Sequence, residues 1–215
     1  MTEKSAKRAN GNRTKQKILD AAEALFGERG FDAVSLRDIT EAAGVTLALA
    51  SYHFGTKDRL FEAVVGRRAD VLCKLRRARL AELATPCAPR DILDAFMSPI
   101  FEQIKTGADD GWASYLRVLP RLGEDERWLD LLAKHFDEVA REFIAALRQS
   151  QPDVAPERLE RAFLMTIQLM LVTVSRQKRL DRLTESRASA GDLEAAYESL
   201  LEFVSAGFMD LPAKA

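Results

Sequence analysis

The chain has 215 residues, of which 47% are hydrophobic, 30% charged and 7% aromatic. This length can bury enough core to fold without disulfide bonds or structural metals, and the composition is typical of a soluble, mostly helical protein. The formal net charge of -1 argues against a protein that coats nucleic acid along its whole length. Cys73 and Cys87, with two histidines, are too few for a zinc site or a disulfide framework, so we expect reduced thiols, no metal and no cofactor.

Positive charge is concentrated at the amino end. Residues 1–17 contain six Lys or Arg side chains and a single acidic one, Glu3. We interpret residues 1–12 as a basic arm, with a disordered solubilising tail as the alternative. A second basic cluster, from Arg67 to Arg79, is predicted to be a solvated helix face.

Targeting and membrane segments are not evident. The amino end lacks the apolar region of a signal peptide, and the longest apolar run, from Ala162 to Val174, is shorter than a membrane span. We therefore expect a cytoplasmic protein with no membrane partner.

Three short helices are predicted in the first quarter of the chain. Apolar residues at helical spacing predict the first from Thr14 to Arg29. Ser35 and Asp38 form a capping-box pattern that begins the second, which ends at Gly44. Thr46 can cap the third, which extends only to about His53 before Gly55.

The rest of the chain is also predicted to be helical, which makes the fold class all-α. A long connecting helix should extend from Lys57 to about Ala84. The later helices are predicted over Asp91 to Lys105, Trp112 to Leu119 before Pro120, Asp125 to Gln149, Pro156 to about Leu183, and Asp192 to Phe208.

The second and third helices, with the tight turn at Gly44 and the apolar Val45 between them, form a helix-turn-helix pattern. In that motif the second helix enters the DNA major groove. This explains why so short a helix carries Leu47, Leu49 and Tyr52: it buries these side chains against DNA.

Four segments of this region resemble the amino-terminal domain of the TetR family of one-component bacterial repressors. They are AAEALFGERGF, SLRDITEAAGV, YHF and GTKDRLF, in that order between residues 21 and 61. The resemblance implies a three-helix DNA-binding domain, residues 13–58, joined by a connecting helix to a ligand-binding and dimerisation domain, residues 59–215. It also implies a sequence-specific transcriptional regulator, a repressor that a small-molecule effector releases from a palindromic operator.

The resemblance assigns site residues to the helix-turn-helix. The third helix corresponds to the recognition helix, and Lys57 matches the family's usual phosphate-binding lysine. The candidate groove-facing residues are Leu47, Ala48, Leu49, Ser51 and Tyr52. The candidate backbone anchors are Arg37, Thr46, Tyr52, His53 and Lys57. The basic arm could also lie along the backbone or enter the minor groove.

This chain departs from the family pattern at two positions. Many members have Tyr two places before the His-Phe pair and a bulky Leu or Val before that, where this chain has Ser51 and Ala50. One phosphate contact is therefore lost or is supplied by Tyr52. Leu47 and Leu49 also make the helix unusually apolar, which favours contacts with thymine methyl groups.

Two further partners are predicted. Symmetric half-sites favour a homodimer, and the helices at 156–183 and 192–208 carry apolar stripes for that interface. The resemblance agrees, because the family usually pairs its last two long helices. A hydrophobic or aromatic effector is expected in a pocket whose candidate lining residues are Phe101, Trp112, Tyr115, Arg117, Trp128, His135 and Met165. The alternative for each of these residues is ordinary core packing.

Two other functions remain open at this point. An architectural DNA-binding or interaction protein would keep the helix-turn-helix and bind no ligand. An enzyme is disfavoured, because no nucleophile-base pair, metal set or Gly-rich phosphate loop is evident.

Overall fold

The computed structural model describes the backbone of residues 3–106, 111–123 and 125–213, with side chains from residue 9 onward. The predicted all-α class is confirmed, and over these residues the only β-type pairing is an isolated bridge between Val154 and Ala213. The chain forms two compact units, residues 1–69 with 109–121, and residues 70–108 with 122–215. Within the described part, no helix is long and apolar enough to cross a membrane.

The first unit contains the three predicted short helices and parts of two others. These are α1 (Glu3–Arg29), α2 (Leu36–Ala43), α3 (Leu47–Phe54), the first half of α4 (Lys57–Glu82) and most of α6 (Gly111–Leu122). The predicted boundaries of α2 and α3 are confirmed to within a residue or two. The division into arm and domains at residues 12 and 58 stays a prediction.

The start of α1 differs from the prediction. The helix begins at Glu3 and continues past Thr14 without interruption, so residues 3–12 belong to a helix. Lys4, Lys7 and Arg8 have side chains outside the described part. The apolar periodicity indicated only the section of α1 that packs against a core, because an exposed helical section carries no such pattern.

Local chemistry explains the sharp boundaries of α2. The Ser35 hydroxyl accepts a hydrogen bond from the Asp38 amide, and the Asp38 carboxylate accepts one from the Ser35 amide at 2.7 Å. The Ser35 hydroxyl also donates to this carboxylate, and these bonds hold the pKa of Asp38 below its usual value. At the other end Gly44 adopts a left-handed conformation, φ 62°, which terminates α2.

The core of the first unit is built on an aromatic cluster. The Phe26 ring lies 5.0 Å from that of Phe61, and Phe31 lies within 6 Å of both. Around it Ile18, Ile39 and other apolar side chains are buried. The backbones of α1 and α6 also approach closely, since a Cβ atom on Gly27 would lie 2.5 Å from the Ser114 carbonyl oxygen. Glycine is thus required at position 27.

A buried carboxylate joins α1 to α4. Glu23 is only 1% exposed, and its two oxygens accept hydrogen bonds from Arg68 Nε and Nη2 at 2.8 and 2.7 Å. Arg67 Nη2 donates to the same carboxylate at 2.8 Å. The Arg68 guanidinium also lies 4.9 Å from the Trp112 ring of α6. Glu23 therefore connects α1 to α4, and Arg68 extends the contact to α6.

Over its described residues, the second unit contains the rest of α4 and eight further elements. The helices are α5 (Pro89–Lys105), α7 (Leu129–Leu132), α8 (Glu138–Ser150), α9 (Pro156–Val174), α10 (Arg179–Leu183) and α11 (Leu193–Met209). A 3₁₀ turn at Glu126–Trp128 precedes α7, and a π-helical turn at Ala133–Asp137 separates α7 from α8.

Two predicted boundaries were wrong. Pro120 lies inside α6, near its carboxyl end, and does not stop the helix. The helix predicted from Pro156 to Leu183 is interrupted after Val174: the Ser175 hydroxyl donates to the Val172 carbonyl, and Arg176 has a left-handed φ of 52°. A side-chain hydroxyl that bonds locally to the backbone competes with helical hydrogen bonding.

The core of the second unit is also aromatic. The Phe96 ring lies 5.1 Å from that of Phe143 and 4.8 Å from that of Phe163, which joins α5, α8 and α9. The Arg76 guanidinium is buried over Phe96, at 3.8 Å, and Arg76 Nε donates to the Phe96 carbonyl. The cluster from Arg67 to Arg79 was predicted to be a solvated face. This was wrong for Arg68 and Arg76, which are buried because other helices cover them.

We predict that Glu23→Gln lowers the free energy of unfolding by about 3–5 kcal/mol, because it leaves two arginines around a site without a compensating charge. Asp20→Asn is the matched control on the same helix. Asp20 bonds Arg67 from a side chain that is 66% exposed, so its loss should cost about 0–1 kcal/mol. Chemical denaturation of both variants measures the difference, and equal stabilities would contradict the importance given to the buried carboxylate.

Candidate nucleic-acid interface

The turn between α2 and α3 is held by backbone hydrogen bonds. The amides of Gly44 and Val45 donate to the carbonyls of Glu41 and Thr40 at 3.1 and 3.0 Å. Thr46 follows as the residue that precedes α3, with an extended backbone, but its side chain makes no capping hydrogen bond. Val45, predicted as the apolar residue between the helices, is half-buried. This arrangement fixes the direction in which α3 leaves the turn.

The α3 helix has one face toward the core and one toward solvent. Ala50 and Phe54 are buried, and they attach the helix to its unit. On the other face Leu47 is 41% exposed, Leu49 40% and Tyr52 82%. An eight-residue helix thus presents two leucines and a tyrosine outward in the isolated chain.

The remaining predicted DNA-binding residues of this region are placed on or near the same surface. Ala48, Ser51, Thr46 and Arg37 are exposed, and His53 is half-buried with its ring 5.2 Å from that of Tyr52. Ala50, at which the sequence departs from the family pattern, is 1% exposed.

Lys57 has a structural role that the sequence did not reveal. Its Nζ donates to the carbonyls of Phe31 and Val34, both at 3.0 Å, and lies 4.1 Å from the centre of the Phe31 ring. An ammonium group has three donors, so these two bonds leave one for a further acceptor. Lys57 therefore holds the loop before α2 against the start of α4.

A cleft of about 450 Å³ lies beside the turn, between α1 and the start of α3. Arg13 and Lys17 line it from α1, and Leu49 lines it from α3. Neither Arg13 nor Lys17 is among the DNA-binding residues predicted individually from the sequence. Their spacing of four residues, which places both on one helical face, is the signal that could have identified them.

The seven residues predicted to line an effector pocket are divided between the two units. Trp112, Tyr115 and Arg117 belong to the first. The Tyr115 hydroxyl donates to the Val65 carbonyl and its ring lies 5.8 Å from that of Trp112, so both rings are core residues, while Arg117 is exposed. These contacts support core packing for the two aromatic residues.

The other four belong to the second unit. Phe101 is buried 4.8 Å from Tyr197, whose hydroxyl donates to Asp94 and whose pKa is raised by burial and by that carboxylate. Trp128 and His135 are half-buried in the irregular stretch around α7. Met165 is 63% exposed on α9, on the surface of the isolated chain, and its place in an effector pocket stays a prediction. The α9 helix carries apolar residues on both its buried and its exposed face, and Met165 lies on the exposed one.

An exposed apolar surface occupies α9 and α11. It consists of Leu164, Met165, Leu169, Val172, Phe203 and Met209. Phe203 is 70% exposed although it lies in the middle of α11. We call these six residues the α9–α11 face.

The two-helix turn and the outward-facing α3, together with a second, helical unit, define a helix-turn-helix DNA-binding protein. Residues 18–64 match the family described as bacterial regulatory proteins of the tetR family, and residues 94–207 match the tetracyclin repressor-like C-terminal domain. The chain belongs to the TetR family, which confirms the resemblance inferred from its sequence.

Curated relatives agree with this assignment. The chain is 29% identical over 119 residues to the HTH-type transcriptional regulator BetI of Rhizobium meliloti, covering 54% of this chain and 57% of the relative. It is 32% identical over 96 residues to the HTH-type transcriptional repressor KstR2 of Rhodococcus jostii, covering 44% of each. The chain thus spans about half the length of these relatives.

The fold is similar to those of two solved regulators. A TetR-like transcriptional regulator from Rhodococcus sp. RHA1 superposes with a TM-score of 0.64 at 17% identity, over 92% of this chain and 96% of that one. The fatty acid degradation regulator FadR from Bacillus halodurans gives the same TM-score at 15% identity, over 88% and 93%. At these identities the similarity establishes the fold alone.

Proposed function

We propose that this protein is a sequence-specific DNA-binding transcriptional regulator, and that it acts as a repressor. The observation that carries the proposal is the outward face of α3, where Leu47, Leu49 and Tyr52 are exposed on a helix whose other face is buried. Relatives named as transcriptional regulators and repressors support it. Such a regulator acts on chromosomal DNA, and we therefore place it in the cytoplasm.

The recognition surface combines base reading with backbone anchoring. Leu47, Ala48, Leu49, Ser51 and Tyr52 are the proposed groove residues. Leucine side chains cannot hydrogen-bond to base edges, so their contribution is contact with thymine methyl groups. Arg37, Thr46 and His53 are the proposed backbone anchors.

Lys57 is proposed to bind a DNA phosphate while it keeps its internal bonds. Two of its donors are directed to the Phe31 and Val34 carbonyls, and the third is available to a phosphate oxygen. The internal bonds would hold the ammonium group in place before DNA arrives, which reduces the entropy lost on binding.

The active form is proposed to be a homodimer paired through the α9–α11 face. Contiguous exposed apolar surface on a helical protein is costly in water and marks an interaction site. A twofold dimer would bury the same face of both copies and would present two copies of α3 to successive half-sites of a palindromic operator.

A hydrophobic or aromatic small molecule is proposed as the effector, bound by the second unit. Trp128 and His135 remain the candidate contacts. His135 belongs to a π-helical turn, a feature that occurs often at functional sites, and Trp128 ends the 3₁₀ turn on the other side of α7. The effector would release DNA only if it bound more tightly to a conformation whose recognition helices do not fit the operator.

The two alternatives have less support. An architectural DNA-binding protein that senses nothing would require a second unit without a ligand site, and the aromatic core around Phe96 is compatible with that. Enzymatic activity is not proposed, because the family to which the chain belongs consists of regulatory proteins.

Selection on random duplex DNA tests the central proposal. The purified protein should enrich an inverted repeat with half-sites about one helical turn apart, and a Tyr52→Ala, Leu47→Ala double variant should enrich it weakly or not at all. A folded protein that enriches no sequence would contradict sequence-specific regulation. Enrichment of a single, unrepeated site would contradict the dimeric arrangement alone.

We predict that Leu47 recognises a thymine methyl group. With the selected operator, replacing the contacted thymine by uracil should weaken binding of the wild-type protein about fourfold, since one buried methyl contributes about 0.8 kcal/mol. Binding of Leu47→Ala should not respond to that replacement. Leu129→Ala, which removes an exposed leucine from α7, is the control. Identical methyl dependence in Leu47→Ala and the wild type would exclude the contact.

We predict that Phe203→Glu prevents dimerisation, because it places a charge in the centre of the proposed apolar interface. The dimer dissociation constant should rise at least about 30-fold, as for a hot-spot residue that contributes 2 kcal/mol or more. Leu129→Glu changes a comparably exposed leucine outside the α9–α11 face and should leave the constant unchanged. Sedimentation equilibrium measures both variants, and a dimeric Phe203→Glu would place the interface elsewhere.

A further inference from the structure

The amino-terminal part of α1 forms one wall of the cleft beside the recognition helix. Asn10, Arg13 and Lys17 share one helical face and line the cleft from α1. The opposite wall is formed by the end of α2, the turn and the start of α3, including Glu41 and Thr46. Because Leu49 lines the cleft and also belongs to the exposed face of α3, the cleft opens beside the surface that is proposed to face DNA.

The charge in this cleft favours an anion. Arg13 and Lys17 supply two positive charges, and Glu41 supplies one negative charge. The Leu49 amide donates to the Thr46 carbonyl, and the amides of Leu47 and Ala48 lie in the chain between these two cleft-lining residues. The positive end of the α3 helix dipole lies at the same place. The Thr46 hydroxyl does not cap these amides. An anion in the cleft would therefore meet two cationic side chains and an uncapped helix start.

We propose that Arg13 and Lys17, with the first amides of α3, bind a phosphate of the DNA backbone next to the groove that α3 enters. This inference rests on the proposed function and extends it to α1. Duplex DNA is the phosphate source that fits best, because the cleft is open, about 450 Å³ in volume, and shares Leu49 with the recognition surface. A closed site for a small free anion would not share that surface.

The continuity of α1 changes the expected role of the basic amino end. The helix extends from Glu3 to Arg29. Asn10 is the first of its residues that lines the cleft, and Arg13 and Lys17 follow. A helical segment holds its cations at fixed spacing along the backbone. Arg13 and Lys17 therefore position the protein on phosphates and do not read bases, so their loss should weaken binding to all sequences alike.

The experiment compares the Arg13→Ala, Lys17→Ala double variant with the wild-type protein on the selected operator. Each phosphate contact contributes about 0.9 to the slope of log K against log salt concentration, so the double variant, which loses one phosphate contact, should have a slope shallower by about 0.9 per protomer. Sequence preference should be unchanged. Alanine favours helix and both side chains are exposed, so the fold should be kept, which circular dichroism checks.

A charge-matched control separates a local contact from the general effect of net charge. The Lys74→Ala, Arg90→Ala double variant also removes two exposed cations, both of them in the second unit. This control should keep the wild-type slope. Equal slopes for the wild type and the Arg13, Lys17 variant would overturn the inference, as would an equal loss in the control.

Neutral methylphosphonate groups locate the contacted phosphate. Replacing phosphates one at a time should identify one or two whose neutralisation weakens the wild type but has no further effect on the Arg13, Lys17 variant. If inorganic phosphate shifts the amide signals of Leu47 and Ala48 but no such DNA phosphate exists, the cleft is a free-anion site and the inference is wrong. Failure of the wild type to select any DNA sequence would instead remove the proposed function on which the inference rests.

Discussion

The Glu23 carboxylate is the interaction on which the arrangement of the first unit depends. It is almost completely buried and receives hydrogen bonds from two consecutive arginines of α4, one of which also lies over Trp112 of α6. A buried charge is tolerated only when it is paired and hydrogen-bonded. Because only one relative position of α1 and α4 satisfies all three groups, the network specifies how these helices pack. The aromatic cluster of Phe26, Phe31 and Phe61 then fills the space beside it.

That scaffold allows α3 to be short. An isolated eight-residue helix would not be stable in water, so α3 depends on the tight turn before it and on the burial of Ala50 and Phe54. Its remaining side chains are then available for recognition. Ala50 is instructive, because it replaces a larger residue common in the family and is still fully covered. The departure from the family pattern at this position falls on the buried side of α3 and not on its exposed face.

The outer face of α3 and the α9–α11 face are both apolar and exposed, and they differ in kind. The outer face of α3 is small and flanked by polar and cationic groups, as suits a surface that enters a charged groove. The α9–α11 face has more exposed apolar side chains, four on α9 and two on α11. An apolar residue of a helix can belong to the core or to an exposed surface. In α9, which is apolar on both faces, the sequence pattern does not show on which side Met165 lies. The aromatic residues predicted for an effector pocket show the reverse, since Tyr115 and Trp112 are covered by their own unit.

The sequence by itself determined the all-α class, the boundaries of α2 and α3, and the helix-turn-helix with its exposed Leu47, Leu49 and Tyr52. These features depend on local signals: the Ser35–Asp38 capping box, the left-handed Gly44, and apolar spacing within a few residues. Only the tertiary structure decided that Arg68 and Arg76 are buried, that Lys57 bonds two carbonyls of the loop before α2, and that Arg13 and Lys17 share a cleft with α3. Each of these depends on groups that are distant in sequence. Side-chain charge is the same whether an arginine is solvated or paired with a buried glutamate, so its environment follows from packing and not from local pattern.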